Sequence, residues 1–201
     1  DTMMDRQVGE ITALLKKLGI YQNTLMFFTS DNGAAKRFDG IHNSSGVMQG
    51  KKRSLNEGGI RVPMVVRWPG KIKAGRVSSH PWYFPDVMPT FAEIGGVSTE
   101  VPEDIDGISI LPTLLDKGVQ KQHEYMFWQY GVRAVRSGKW KGIGKGGHLY
   151  LYDLSEDIEE KNDLSSKHPE IAARMKKYIT IGYREPRSQK DDGKYTGKDK
   201  K

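Results

Sequence analysis

Two short runs of this sequence hold residue types that could do chemistry together. The first is Asp31-Asn32-Gly33, a carboxylate next to an amide. Their side chains offer two hard oxygen donors, the kind that calcium or magnesium takes. An Asx turn would use the same three residues equally well. The second is Gly50-Lys51-Lys52-Arg53-Ser54-Leu55-Asn56-Glu57-Gly58-Gly59-Ile60-Arg61-Val62-Pro63. A lysine in a glycine-flanked loop suits a phosphate- or sulfate-like group, and a solvated basic loop with Arg61 snorkelling or paired to Glu57 is the plainer alternative. His42 lies between the two runs, either facing solvent or at the rim of a pocket.

These residues need elements to position them. From Thr2 to Leu18, the apolar residues Met4, Val8, Ile11, Leu15 and Leu18 recur at helical steps, with Asp1 or Thr2 as a cap and Gly19 as the end. Asn23 to Ser30 is a continuous apolar run of the kind found in a strand buried on both faces of a parallel sheet. Asp31 follows it directly, at the strand end where open α/β sheets bind ligands, and Gly33 would let the chain turn sharply. Val62 to Trp68 reads as a second strand, entered through Pro63. The segment 33–59 between them is polar and glycine-rich, and so long a connection usually has a function. Asp86 to Ile94 reads as a helix capped by Asp86 and closed by Gly95-Gly96.

After about Gly118 the pattern changes to short strands: Tyr125–Tyr130, one over Arg133–Ile143, and His148–Leu154. His168-Pro169 opens a last helix through about Ile179, with Ile171, Met175 and Tyr178 on one face. Trp128 and Tyr130 read as core of the small sheet rather than sugar-stacking platforms, and His80, His123 and His148 as surface or packing residues. The expected organisation is 1–118 as the closing part of an α/β sheet, 119–185 as a small α+β unit, and 186–201 as a basic, disordered tail.

Composition excludes some classes of function. With no cysteine among 201 residues, disulfides and thiolate metal sites are ruled out within the chain. No apolar run is long enough for a bilayer span, and the first residues lack the pattern of a secretory signal. The net charge of +7 is concentrated at 51–53 and from 184 onward. It is not interleaved with aromatics on one face, so nucleic-acid binding is not expected.

Taken in order, Phe28-Thr29-Ser30-Asp31-Asn32-Gly33, Lys52-Arg53-Ser54-Leu55-Asn56-Glu57-Gly58-Gly59-Ile60-Arg61-Val62-Pro63, Arg67-Trp68-Pro69-Gly70 and Asp86-Val87-Met88-Pro89-Thr90 resemble the second half of the sulfatase family. Ala134 to Lys141, Leu151-Tyr152-Asp153-Leu154 and Glu160-Lys161-Asn162-Asp163-Leu164 resemble that family's closing subdomain. The flavour is similar to arylsulfatase-like and N-acetylgalactosamine-6-sulfatase-like members. The resemblance implies the C-terminal part of an alkaline-phosphatase-like sulfatase sheet, followed by a small α+β subdomain with an antiparallel sheet and a C-terminal helix.

It further implies that Asp31 and Asn32 are calcium ligands and Lys52 the sulfate-binding lysine, with Lys51 in that role if the register is off by one. Glu57 and Arg61 would shape the loop. The family's nucleophile is a formylglycine made in a Cys/Ser-x-Pro-x-Arg motif, and no such motif occurs here. The formylglycine and the remaining ligands of the one calcium are therefore expected in an N-terminal half outside this chain, and the chain alone is expected to be inactive. The implied substrate is a sulfated small molecule or glycan, and the implied location an exported one. A related phosphatase or phosphonate hydrolase is the alternative enzyme, but such relatives tend to carry Asp-His where this chain has Asp31-Asn32. A non-catalytic truncated product is the alternative outside enzymes.

Overall fold

The structure is a computed structural model, and it describes residues 2–38 and 42–184. The expected tail at 186–201 and the proposed cap Asp1 lie outside the described residues. The chain forms two compact units. The first comprises residues 1–29 and 63–122, and the second 30–62 and 123–201. The segment holding both chemistry-bearing runs thus belongs to the second unit, although in sequence it interrupts the first.

The first unit opens with α1, Thr2–Lys17, which fits the helical spacing of its apolar residues. None of them is buried, and Met4, Ile11 and Leu18 are exposed, so the apolar stripe has no full cover among the described residues. β1, Met26–Thr29, pairs antiparallel with β2, Met64–Arg67, from Met26↔Arg67 to Thr29↔Met64. This corrects the expectation of a strand buried on both faces of a parallel sheet. A parallel return needs a crossover, usually a helix, and among its described residues the connection here holds one short α-helix, α2, Glu57–Ile60. Phe28 and Val65 therefore keep exposed side chains in this two-stranded pair.

Asp86 stands at the N-cap position of helix α3, Val87–Ile94, as expected, but its side chain makes no capping hydrogen bond there. Its fully buried carboxylate turns back instead, accepting the Tyr83 N–H at 3.0 Å and the Ile108 N–H at 2.8 Å. Thr90 continues the knot, donating its hydroxyl to the Asp86 carbonyl and accepting the Ile110 N–H. Ile110 immediately precedes the short helix α4, Leu111–Leu115. A buried carboxylate so placed is fully hydrogen-bonded, as buried polar groups require.

The second unit is built on a four-stranded antiparallel meander: β3 (Met126–Tyr130), β4 (Val132–Ser137), β5 (Trp140–Lys145) and β6 (His148–Asp153). The run 133–143 expected as one strand is two, because Gly138 supplies the positive φ of 57° that a tight hairpin needs between Ser137 and Trp140. One face of the sheet packs Val135, Leu149 and Leu151 against Ala172, Met175 and Tyr178 of α5, Pro169–Ile181. Gly142 permits this close approach, since a Cβ there would lie 2.9 Å from the Met175 Cβ. The other face packs Ala134, Ile143, Tyr152 and Leu154 around Leu55, with Trp128 partly buried beside them. Tyr130 departs from its expected core role: as the last residue of β3, next to the Gly131 turn, it is exposed.

Asp163 ties the loop after β6 to the sheet. It accepts the Leu151 N–H at 3.0 Å and the Ser165 N–H at 2.9 Å, and meets His148 Nε2 at 2.8 Å. Burial works against its charge, but His148 and these N–H groups outweigh it and hold the carboxyl down at about 2. A depressed carboxyl contributes stability above its unfolded value and loses it in acid. Stability should therefore fall between about pH 4 and pH 2 as Asp163 protonates. We expect Asp163→Asn to be less stable at pH 6 and to show a shallower decline over that window. Urea midpoints measured from pH 6 to pH 2.5 test this.

Candidate functional site

The two runs singled out in the sequence meet through backbone hydrogen bonds. Gly33 N–H donates to the Gly59 carbonyl at 2.9 Å, and Lys52 N–H to the Ala34 carbonyl at 2.9 Å. Both contacts lie within the second unit. Glycine is required here for closeness. A Cβ on Gly33 would fall 2.0 Å from the Gly58 carbonyl oxygen, and one on Gly59 would fall 2.2 Å from that of Ser54. The chain bends at Asp31-Asn32-Gly33 as expected, but without a positive φ at Gly33, and what requires glycine there is the tight packing of backbone on backbone. The left-handed positions within the second run are Gly50, at φ 80°, and Arg53, at φ 78°.

On this frame the Asp31 carboxylate is exposed and the Asn32 side chain half-buried. Ser30 Oγ donates to the Asn32 backbone carbonyl at 2.9 Å. Neither the Asp31 carboxylate nor the Asn32 amide has a side-chain partner among the described residues. Two adjacent oxygen donors left unengaged suit a hard cation as part of a ligand set. They cannot complete one, and no group of three or more His, Cys, Asp or Glu that could hold a metal occurs among the described residues. Lys52 is exposed, and its ammonium has no partner among the described residues, whereas Lys51 is engaged and half-buried. His42 is exposed and makes a contact of its own.

What fixes the loop is a buried ionic cluster. Lys141, on β5, is fully buried, and its Nζ lies 2.7 Å from Glu57 Oε1 and 3.4 Å from Glu160 Oε1. Glu160 Oε2 accepts the Glu57 N–H at 2.7 Å, satisfying a free donor in the first turn of α2. Gln49 Nε2 adds a bond to the Glu160 carbonyl at 3.2 Å. Arg61 reaches the Glu57 carboxylate at 3.6 Å, as the plainer reading of the sequence anticipated. Arg136 is the cross-strand neighbour of Lys141. Burial alone would raise the Glu57 carboxyl, but Lys141, followed by Arg136 and Arg61, overrides this and lowers it below the ordinary carboxylate range. Glu160 moves the opposite way. Burial and the neighbouring Glu57 charge push it up, with Lys141 only partly offsetting them.

Lys141, Glu160 and Arg136 had no assigned part in the sequence reading. The signal was present in the strand alternation, which puts Lys141 in phase with Ile143 and opposite Tyr152, facing inward. A lysine at such a position demands a buried counter-charge.

The family profile described as Sulfatase matches residues 2–97. Steryl-sulfatase of Mus musculus is 40% identical over 153 residues, covering 70% of this chain and 24% of that protein. N-acetylgalactosamine-6-O-sulfatase of Bacteroides thetaiotaomicron is 32% identical over 207 residues, covering 88% of this chain and 39% of that one. Among solved structures, Ps i-CgsB in complex with k-i-k-neocarrahexaose superposes with a TM-score of 0.74 at 32% identity, covering 89% of this chain and 40% of that one. A structure from work on glycosaminoglycan metabolism by Bacteroides thetaiotaomicron gives 0.75 at 30% identity, covering 89% and 42%. The chain belongs to the sulfatase family, and its architecture is that of part of an alkaline-phosphatase-like sulfatase fold. It spans between about a quarter and two fifths of the length of these curated relatives.

The two lysines of the site region should respond to substitution in opposite ways. Lys141→Met leaves Glu57 and Glu160 buried without their cation, a loss of about 3–5 kcal/mol for broken buried pairs. Lys52→Met removes an exposed charge and should stay within about 0.5 kcal/mol of the parent. Chemical denaturation of both variants checks the contrast.

Proposed function

We propose that this chain provides the charge-neutralising part of a sulfatase active site and acts within a longer sulfuric ester hydrolase. The observation that carries the reading is the pair of backbone bonds, Gly33 to Gly59 and Lys52 to Ala34, which join the Asp31-Asn32 run to the Lys52 run on one rigid frame. The sulfatase relatives, including one named for N-acetylgalactosamine-6-O-sulfate chemistry, favour a sulfated carbohydrate or aryl sulfate as substrate.

In this reading Asp31 and Asn32 bind one calcium ion, together with donors that lie outside the chain. Calcium, when bound, neutralises sulfate oxygens, and a formylglycine outside these residues supplies the nucleophile. Lys52 places its ammonium against a sulfate oxygen and stabilises the charge that builds on it as the S–O bond to the alcohol breaks. A fixed backbone and an uncommitted side chain suit this task, because the donor is preorganised yet available to the ester. His42, at the edge of the same loop, contacts the alcohol portion. Glu57 and Arg61 hold the loop and do not touch substrate.

In the complete enzyme, Asp31→Ala should lower calcium content and turnover together, and more than Asn32→Ala does, since it removes a charge as well as an oxygen. Lys52→Ala should lower turnover by about 10²–10³-fold, the cost of losing one charge-stabilising group, with calcium content unchanged. Metal analysis beside sulfate-ester turnover reads both. Loss of calcium in Lys52→Ala, or full activity in both the Asp31 and Asn32 variants, would overturn the assignment. The chain alone should hydrolyse no aryl sulfate above a Lys52→Ala control.

A further inference from the structure

The face of the β3–β6 sheet that carries α5 is the one turned away from Leu55 and the Lys52 loop, and it contains a cleft of about 490 Å³. That volume is in the range of small-molecule sites. Its floor follows one row across three strands, Gln129 paired with Arg133 and Arg133 with Gly144. Gly144 keeps the floor open: a Cβ there would already touch Ile179 Cδ1 at 3.4 Å. Ile179 and Tyr183, from the end of α5 and just beyond it, form the opposite wall. The Arg133 guanidinium sits 3.5 Å from the centre of the Tyr183 ring. Stacking fixes its plane and lowers the entropy lost when its N–H groups bind an anion. Lys145 adds a second positive charge at the rim, and no carboxylate occurs among the described residues that line the cleft.

We propose that this cleft is a second binding site, for an acidic oligosaccharide, separate from the Lys52 loop. Four features in one enclosure match a sugar bearing a carboxylate or sulfate: a planar guanidinium, a neighbouring amide, an aromatic wall and turn backbone. The sequence following Tyr183 is a poor occupant on charge, because Arg184 to Lys201 is itself net basic. The choice of a saccharide rests on the proposed function; the anionic character of the ligand rests on the cleft alone. In a polymeric substrate, such a site would hold one stretch of chain while another is processed, raising the local concentration of ester groups.

Hydrogen–deuterium exchange of the full chain, with and without a chondroitin sulfate hexasaccharide, tests this. Its desulfated form and neutral maltohexaose serve as comparison probes. We expect protection in peptides covering 126–147 and 176–184, absent with maltohexaose. Weaker protection by the desulfated form assigns recognition to sulfate, and equal protection assigns it to the uronate; both support an acidic saccharide. Arg133→Ala should weaken binding at least about 10-fold, the scale of one charge-assisted pair, and Arg133→Lys should recover only part of it. Gln129→Ala, which leaves the Arg133–Tyr183 stack in place, should also weaken binding and guards against a misfolded Arg133 variant. Lys52→Ala should leave the protection of 126–147 and 176–184 unchanged, whatever it does to binding at its own loop. Protection confined to 49–61 or 185–201, equal protection by maltohexaose, or Arg133→Ala binding within twofold of the parent would overturn the proposal. None of these readouts involves turnover, so failure of the sulfatase reading would show separately, in the Asp31 and Lys52 variants.

Discussion

The second unit depends on one buried cation. Lys141 enters the core from β5 shielded from bulk solvent, and the fold answers with two carboxylates from distant parts of the chain. Taking such a charge out of water costs several kcal/mol unless it is paired and hydrogen-bonded. Glu57 meets that need and in doing so anchors the loop that carries Lys52. Glu160 then secures Glu57 through its backbone N–H. Replacing this cluster with apolar side chains could give equal stability, but it would remove the directional bonds that fix where α2 begins. The cluster therefore serves position as much as stability.

Around that anchor, glycines do what side chains cannot. Gly33, Gly58 and Gly59 bring backbone segments so close that a methyl group at any of them would meet a carbonyl oxygen at under 2.5 Å. The result is a loop whose main chain is rigid while Asp31, Asn32 and Lys52 remain uncommitted. Rigidity and availability usually oppose each other, since a side chain is normally held by the bonds it makes. Here the holding is done by main-chain contacts and by Glu57.

Much of this was legible in the sequence, and the exceptions have physical causes. Helix α1, the β3 and β6 strands and helix α5 follow from apolar spacing, which is a local property. Asp31, Asn32 and the lysines of the second run stood out because they sit in short glycine-rich runs, while the choice of Lys52 over Lys51 came from the resemblance to the sulfatase family. The paired role of Glu57 and Arg61 could be read as well, since they are four residues apart. The strand direction of β1 against β2 could not be read, because it depends on how a long connection returns. The inward phase of Lys141 was open to reading from the strand alternation, but its pairing was not: Glu57 lies more than eighty residues away from both Lys141 and Glu160, and Glu160 alone looks like an ordinary surface charge. The bend at Gly33 could be read, but not the close approach of backbone that bars a side chain there, which depends on a partner segment farther along the chain.

The separation between Glu57 and Lys141 also has a consequence in time. They stand 84 residues apart, and at about 5–20 residues per second of synthesis the loop leaves the ribosome several seconds before its counter-ion does. During that interval Glu57 can stay solvated, but the Gly33–Gly59 contact must hold without its anchor or wait for it. Closing so long a loop is slow compared with local helix formation. The chemistry-bearing segment should therefore be among the last parts of the second unit to settle in a nascent chain, and a stall or truncation upstream of β5 would leave it unformed even with every residue of both runs already made.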